Sequence, residues 1–201
     1  MNFAVEFTSP TFSHLVLTPR KKVLKHSLIQ VSQGLALVKL GKNEYAVEPG
    51  ETIWIPFDCL VSISYFPNTV INKVDFSVRL TDNFPSQAGY VQQTALTKAL
   101  IDKLATGTNN EQATQELLAV LKQEVLALNP LLSETLLSER FNQWNLDDSP
   151  LSQEHTLVMV MREAKKRLLS GQKKEKVIEE LFASKEEEFE QLCLLVFGET
   201  L

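Results

Sequence analysis

The hydrophobic period of this chain changes once, near Pro85, and that switch limits the fold more than any single motif does. Upstream, β-forming residues come in short runs separated by turn signals: Val16-Leu17, then Leu28-Ile29 with Val31, then Leu35 to Leu40. Gly41-Lys42-Asn43 should close a hairpin into Tyr45-Ala46-Val47, and Glu48-Pro49-Gly50 should turn the chain into Thr52-Ile53-Trp54-Ile55. Pro56 ends that strand, Val61 to Phe66 forms another, and the alternation of Val74 to Leu80 completes the set. Short strands at this spacing predict an antiparallel barrel or sandwich.

Downstream the period lengthens to about 3.6 residues. Ala95 to Leu104 predicts a helix ending near Gly107, and Asn109 or Asn110 can cap a second one carrying Leu117, Leu118, Leu121 and Val125. Asn129-Pro130 stops that helix. Residues 130–151 give no readable pattern. Three helices follow: one capped by Ser152 and stopped by Gly171, one over about Lys174 to Ala183, and one opened by a Ser184/Glu187 capping box and stopped by Gly198. The expected class is therefore α+β, with strands in 1–88 and an all-α half in 89–201. The apolar positions of 93–127 cover more than one stripe, which predicts dimerisation there. Residues 152–201 read as a helix-turn-helix-like unit.

The net charge of -5 is unevenly placed, at +1 over residues 1–85 and -6 over 86–201. The field of the whole chain repels phosphate, so nucleic-acid contact has to come from a local patch. Lys165, Lys166, Arg167, Lys173 and Lys174 are the candidates; a structural alternative is that they complement a helix C-terminus. Arg20, Lys21, Lys22 and Lys25 read as a lysine-guarded strand edge. Cys59 and Cys193 fit neither a disulfide framework nor a metal spacing, and Met1 to Glu6 lacks the basic and apolar regions of a leader. A reduced, cytoplasmic protein with no membrane span is expected. No Gly-x-Ser-x-Gly elbow and no glycine-rich phosphate loop occurs, so no enzyme activity is expected.

Two stretches carry a family resemblance. His26 to Gly34, followed by Tyr45-Ala46-Val47-Glu48-Pro49-Gly50-Glu51-Thr52-Ile53-Trp54-Ile55-Pro56, resembles the cupin-type sensor domain of AraC-family transcription regulators. Arg162, Ala164, Leu168-Leu169, Gly171, Val177, Ser184, Phe189 and Phe197-Gly198-Glu199-Thr200 are similar, in order, to that family's second helix-turn-helix. The resemblance implies a cupin-like β-barrel (jelly roll), small-molecule sensing, dimerisation and DNA binding. It also implies a metal site in those cupins that have one, and here the pattern departs. His26 stands alone beside Leu28 and Gln30, and Val61 occupies the place of a third histidine, so neither metal nor cofactor is expected.

Within the barrel, the candidate ligand-binding residues are His26, Gln30, Trp54 and Val61. The alternatives are a satisfied structural histidine and a core tryptophan. The DNA-reading part departs as well. The family's first unit would have to fit within 130–151, and the helix that would enter the major groove carries Glu186, Glu187, Glu188 and Glu190 where readers carry Arg, Asn or Gln. The expected function is an AraC-like, ligand-sensing homodimer with DNA binding weakened or lost. The alternatives are a module acting on a partner regulator and a stand-alone cupin binding a small ligand.

Overall fold

The computed structural model describes residues 4–107 and 110–201; Met1, Asn2, Phe3 and the candidate cap Asn109 lie outside them. Among the described residues, eleven strands precede six helices. The strands are β1 (Val5–Thr8), β2 (Thr11–Phe12), β3 (Val16–Leu17), β4 (Lys21–Lys22), β5 (Lys25–Gln33), β6 (Ala36–Leu40), β7 (Asn43–Val47), β8 (Thr52–Ile55), β9 (Leu60–Tyr65), β10 (Thr69–Ser77) and β11 (Gly89–Tyr90). The helices are α1 (Ala95–Ala105), α2 (Glu111–Leu126), α3 (Leu136–Gln143), α4 (Gln153–Leu169), α5 (Lys174–Phe182) and α6 (Glu186–Phe197). No helix among the described residues is long and apolar enough to cross a membrane.

All strand pairing is antiparallel, but the strands do not close into the expected barrel. They form two sheets. Sheet A has the order β1-β10-β5-β8-β11 with β2 on β10, and sheet B has the order β3-β9-β6-β7 with β4 on β9. Ile29, Val31, Ile53, Ile55 and Ile71 of sheet A meet Ala36, Val38, Leu40, Val47, Val61 and Ile63 of sheet B in one apolar layer.

Helices cover both outer faces. Leu28, Trp54, Val74 and Phe76 of sheet A pack against Leu100, Ile101 and Leu104 of α1 and Leu118, Leu121 and Val125 of α2. Leu37 and Ala46 of sheet B share a core with Phe141 of α3, Met161 and Ala164 of α4, Val177 of α5 and Phe189 of α6. Where both faces are covered the strand is buried throughout, as in β8, all four residues of which are buried.

Several sequence readings change. β10 starts at Thr69 and ends at Ser77, because its neighbour β5 begins opposite Ser77 at Lys25 and leaves Val78 to Leu80 no ladder. The α1–α2 stripes that suggested a dimer surface are spent on sheet A, and Leu96 and Val120 are the large apolar residues of that segment left exposed. The unreadable 130–151 contains α3, capped by the Thr135 hydroxyl accepting from the Ser138 N–H. Ser152 caps α4, and Asn110 caps α2. Ser184 caps nothing: it sits at φ 63° beside Ala183 at φ 49°, and α6 begins after Lys185 with no side-chain cap.

Candidate functional site

The four candidate ligand residues do not share a cavity. In β5 the alternation that sends Ile29 and Val31 between the sheets sends His26, Leu28 and Gln30 to the outer face of sheet A. The His26 ring packs against Trp54 and Phe84 at 5.6 and 4.8 Å, the two rings being 6.0 Å from each other, and its Nδ1 accepts the Phe57 N–H at 3.1 Å. Burial lowers its pKa below the ordinary histidine value, which favours the neutral ring that this acceptor role requires. Trp54 is fully buried and donates its indole N–H to the Pro85 carbonyl at 2.9 Å. Gln30 is engaged with Asn72 and Gln93. Val61 lies in the layer between the sheets.

The charge of the five basic candidates is largely matched within the protein. Lys165 pairs with Glu199 at 3.0 Å and lies over the Phe197 ring, and Lys166 pairs with Glu163 at 3.1 Å. Arg167 bridges Glu163 and Glu180 at 3.1 and 2.7 Å, and Lys174 reaches Glu190 at 3.1 Å. Burial pushes the Glu163 carboxyl up, but its hydrogen bonds to Lys166 and Arg167 outweigh that and hold it below the usual range. Lys173, just before α5, has no ion pair among the described residues.

A different site emerges where α4 crosses the outer face of sheet B. Lys39 of β6 stands between Glu44 of β7 and Ser62 of β9 in the ladder, and Leu17 of β3 stands opposite Ser64. Arg162, Lys166 and Leu169 of α4, with Arg20 from the β3–β4 link, complete a cleft of about 370 Å³. Four cationic side chains thus line it against one carboxylate, and that carboxylate is taken: Arg162 binds Glu44 at 2.5 Å across the two elements. Arg20 donates to the Gly41 carbonyl at 2.9 Å. Lys39 has no carboxylate partner among the described residues.

Helix α3 fixes this geometry from the far side. Asn142 accepts the Glu44 N–H and donates back to the Glu44 carbonyl, while the Ser138 hydroxyl accepts the Ala46 N–H. Tyr90 donates its hydroxyl to the Ala46 carbonyl at 2.6 Å. Gly89 is required beside it, since a Cβ there would come within 2.5 Å of the Leu131 backbone.

The sequence did carry a signal for the cleft. Lys39 interrupts an apolar strand with buried residues on either side, and Arg162 follows Met161 in an apolar helix pattern. Chemically, the cleft offers excess positive charge, the Ser62 and Ser64 hydroxyls, and apolar walls from Leu17 and Leu169. Among the described residues, no group of three His, Cys, Asp or Glu side chains could hold a metal ion.

No family model matches the chain, and no curated protein sequence matches it. Solved structures similar to it include apo ToxT from Vibrio cholerae, at 7% identity over 99% of this chain and 96% of that one, TM-score 0.47. ToxT bound to (E)-4-(8-methylnaphthalen-1-yl)but-3-enoic acid aligns at 8% identity over 98% and 97%, TM-score 0.42. A cupin superfamily protein from Desulfitobacterium hafniense aligns at 12% identity over 38% of this chain and 71% of that one, TM-score 0.36. At these identities no side chain of the site is carried over from them.

Proposed function

We propose that the chain is a non-enzymatic, AraC-type regulator-like sensor whose ligand is an amphipathic anion held between sheet B and α4. The carrying observation is the cleft itself: of its four cations Arg162 is paired with Glu44 and Lys166 with Glu163, which leaves Lys39 and Arg20 without a carboxylate among the described residues, and its walls come from the strands and from the helical half. An anionic head group would meet Lys39, Arg20 and Lys166, and its apolar part would lie along Leu17 and Leu169. Such a ligand bridges the two halves, which is the geometry a sensor needs to couple occupancy to the pose of the helices. Specific pockets of this volume take drug-sized molecules.

On this reading DNA contact is weakened or lost. The sequence resemblance assigns the recognition-helix role to α6, and Phe189, Cys193, Val196 and Phe197 anchor that helix in the core under sheet B. Its C-terminus is fastened to the β2–β3 link: the Leu15 N–H donates to the Val196 carbonyl, and the His14 ring lies against Gly198. A Cβ at Gly198 would come within 2.6 Å of that ring, and the residue sits at φ 71°. Glu186, Glu187 and Glu188 fill its exposed first turn and repel phosphate.

A gel-shift titration against the DNA upstream of its own gene, at low and moderate salt, tests this. Diffuse, salt-sensitive retention or none is expected. A discrete protected site that disappears on Glu187→Gln would overturn the assignment of α6.

A further inference from the structure

The outer face of sheet A changes character along its strands. Leu28, flanked in the ladder by Val74 and Trp54, packs under α1 and α2, but two residues further on Gln30 is flanked by Asn72 and Thr52. All three of these polar residues are buried, Thr52 to 2% exposure. Their bonds run in one direction: Asn72 donates to Gln30 at 3.0 Å, Gln30 to Gln93 at 3.2 Å, and Gln93 to the Thr52 hydroxyl at 2.7 Å. Thr52 only accepts here, so its own hydroxyl proton has no acceptor among the described residues. An apolar trio at this end would avoid the desolvation cost that buried amides and hydroxyls carry.

Thr52 lines a pocket of about 360 Å³ at the β8–β11 edge, where the turn from Glu48 to Glu51, the link from β11 to α1 and the link into α3 converge. Gln93, Ser133 and Thr135 add polar groups to its wall. One side chain of each charge lines it as well. Lys98 is exposed near the start of α1, and Glu51 has one carboxylate oxygen on the Glu48 N–H at 2.8 Å. Neither has an ion pair among the described residues.

We infer that this pocket binds a free α-amino acid, its ammonium on Glu51 and its carboxylate on Lys98, with Thr52 donating its unused hydroxyl proton to that carboxylate. The opposite charges decide the class of ligand. A zwitterion meets both, whereas a sugar or polyol leaves both unmatched and a simple anion or amine leaves one. Ser133 and Thr135 then face the ligand side chain, and they favour a hydroxyl or an amide over an apolar group. The pocket shares no residue with the cleft on sheet B, so this inference is independent of that cleft and of its ligand.

Isothermal titration of the purified full chain with L-glutamine, L-serine and L-leucine tests it. Glutamine or serine should bind saturably at one site, at least about tenfold more tightly than leucine. The N-acetylated form of the amino acid that binds lacks the ammonium, and its carboxamide lacks the carboxylate; each should bind at least about tenfold more weakly than the parent. Lys98→Gln and Glu51→Gln remove one protein charge each, and both should weaken binding by a similar factor. The new amide of Glu51→Gln can still accept the Glu48 N–H, and unchanged circular-dichroism melts establish that the variants fold. Lys98→Gln lies at an exposed helix position and serves where Glu51→Gln does not fold. No saturable heat from either polar amino acid up to about 10 mM overturns the inference. So does binding that survives both substitutions, or glucose binding at this site as tightly as the amino acid, since a polyol needs neither charge.

Discussion

The two sheets are covered in unlike ways. Over sheet A, α1 and α2 lay Leu100, Ile101, Leu104, Leu118, Leu121 and Val125 on Trp54 and Phe76, and the result is a closed apolar layer. Over sheet B, α3–α6 close one part of the face with Phe141, Met161 and Phe189 but leave Lys39, Ser62 and Ser64 in an open cleft under Arg162 and Lys166. A surface that folding alone had shaped would resemble the first. On the proposed reading, Lys39 and Arg20 on the second face, without carboxylate partners among the described residues, would be offset by a bound anion.

The largest effect should come from the closed side. Trp54→Ala removes a fully buried indole from the α1–α2 layer, and urea unfolding should show a loss of about 3–5 kcal/mol. A loss near 1 kcal/mol would mean that sheet A is not the better-packed face. On the open side, Arg162→Leu leaves Glu44 unpaired with its side chain 11% exposed. A loss of about 2 kcal/mol is expected there, since Arg162 itself is partly solvated. The double variant with Glu44→Gln should recover part of it.

A smaller, pH-dependent effect is shared by the two faces. Burial lowers the pKa of His26, against sheet A, and of His155, against Phe66 and Phe141 near sheet B. For a lowered histidine the unfolded chain binds the proton first, so stability is complete above the ordinary value of 6.5 and declines as pH falls below it. Unfolding midpoints at pH 7.5 and at about pH 5.5 should therefore differ in favour of the higher pH. His26→Asn should remove part of that difference, together with about 1 kcal/mol for its bond to the Phe57 N–H.

The strands and helices were largely legible because their signals are local. The β6–β7 hairpin follows from Gly41-Lys42, and the Ser152 cap and the Gly171 stop lie where the residue types put them. The face on which His26, Gln30 and Trp54 fall was not legible. A strand covered on both sides has no polar face, and a parity error of one residue moves every side chain to the other layer. Helix α3 was missed because Ser138 and Asn142, its contacts to β7, look like loop residues until Ala46 and Glu44 are opposite them. The Ser184 cap failed because Ala183 and Ser184 both take positive φ and turn the chain before α6 can start. The cleft joins residues from 17 to 169, and no sequence window holds them together.

The central claim is that the cleft on sheet B binds an amphipathic anion, and fluorescence titration with anilinonaphthalene sulfonate tests it most directly. Lys39 is partly exposed, and Lys39→Glu sets a second carboxylate opposite Glu44, so it should cost about 1 kcal/mol and leave the protein folded. Wild type should bind the probe saturably at one site, Lys39→Glu should weaken that binding at least about tenfold, and neutral phenylnaphthylamine should bind both proteins alike. Equal affinity of wild type and Lys39→Glu for the anionic probe would contradict the account.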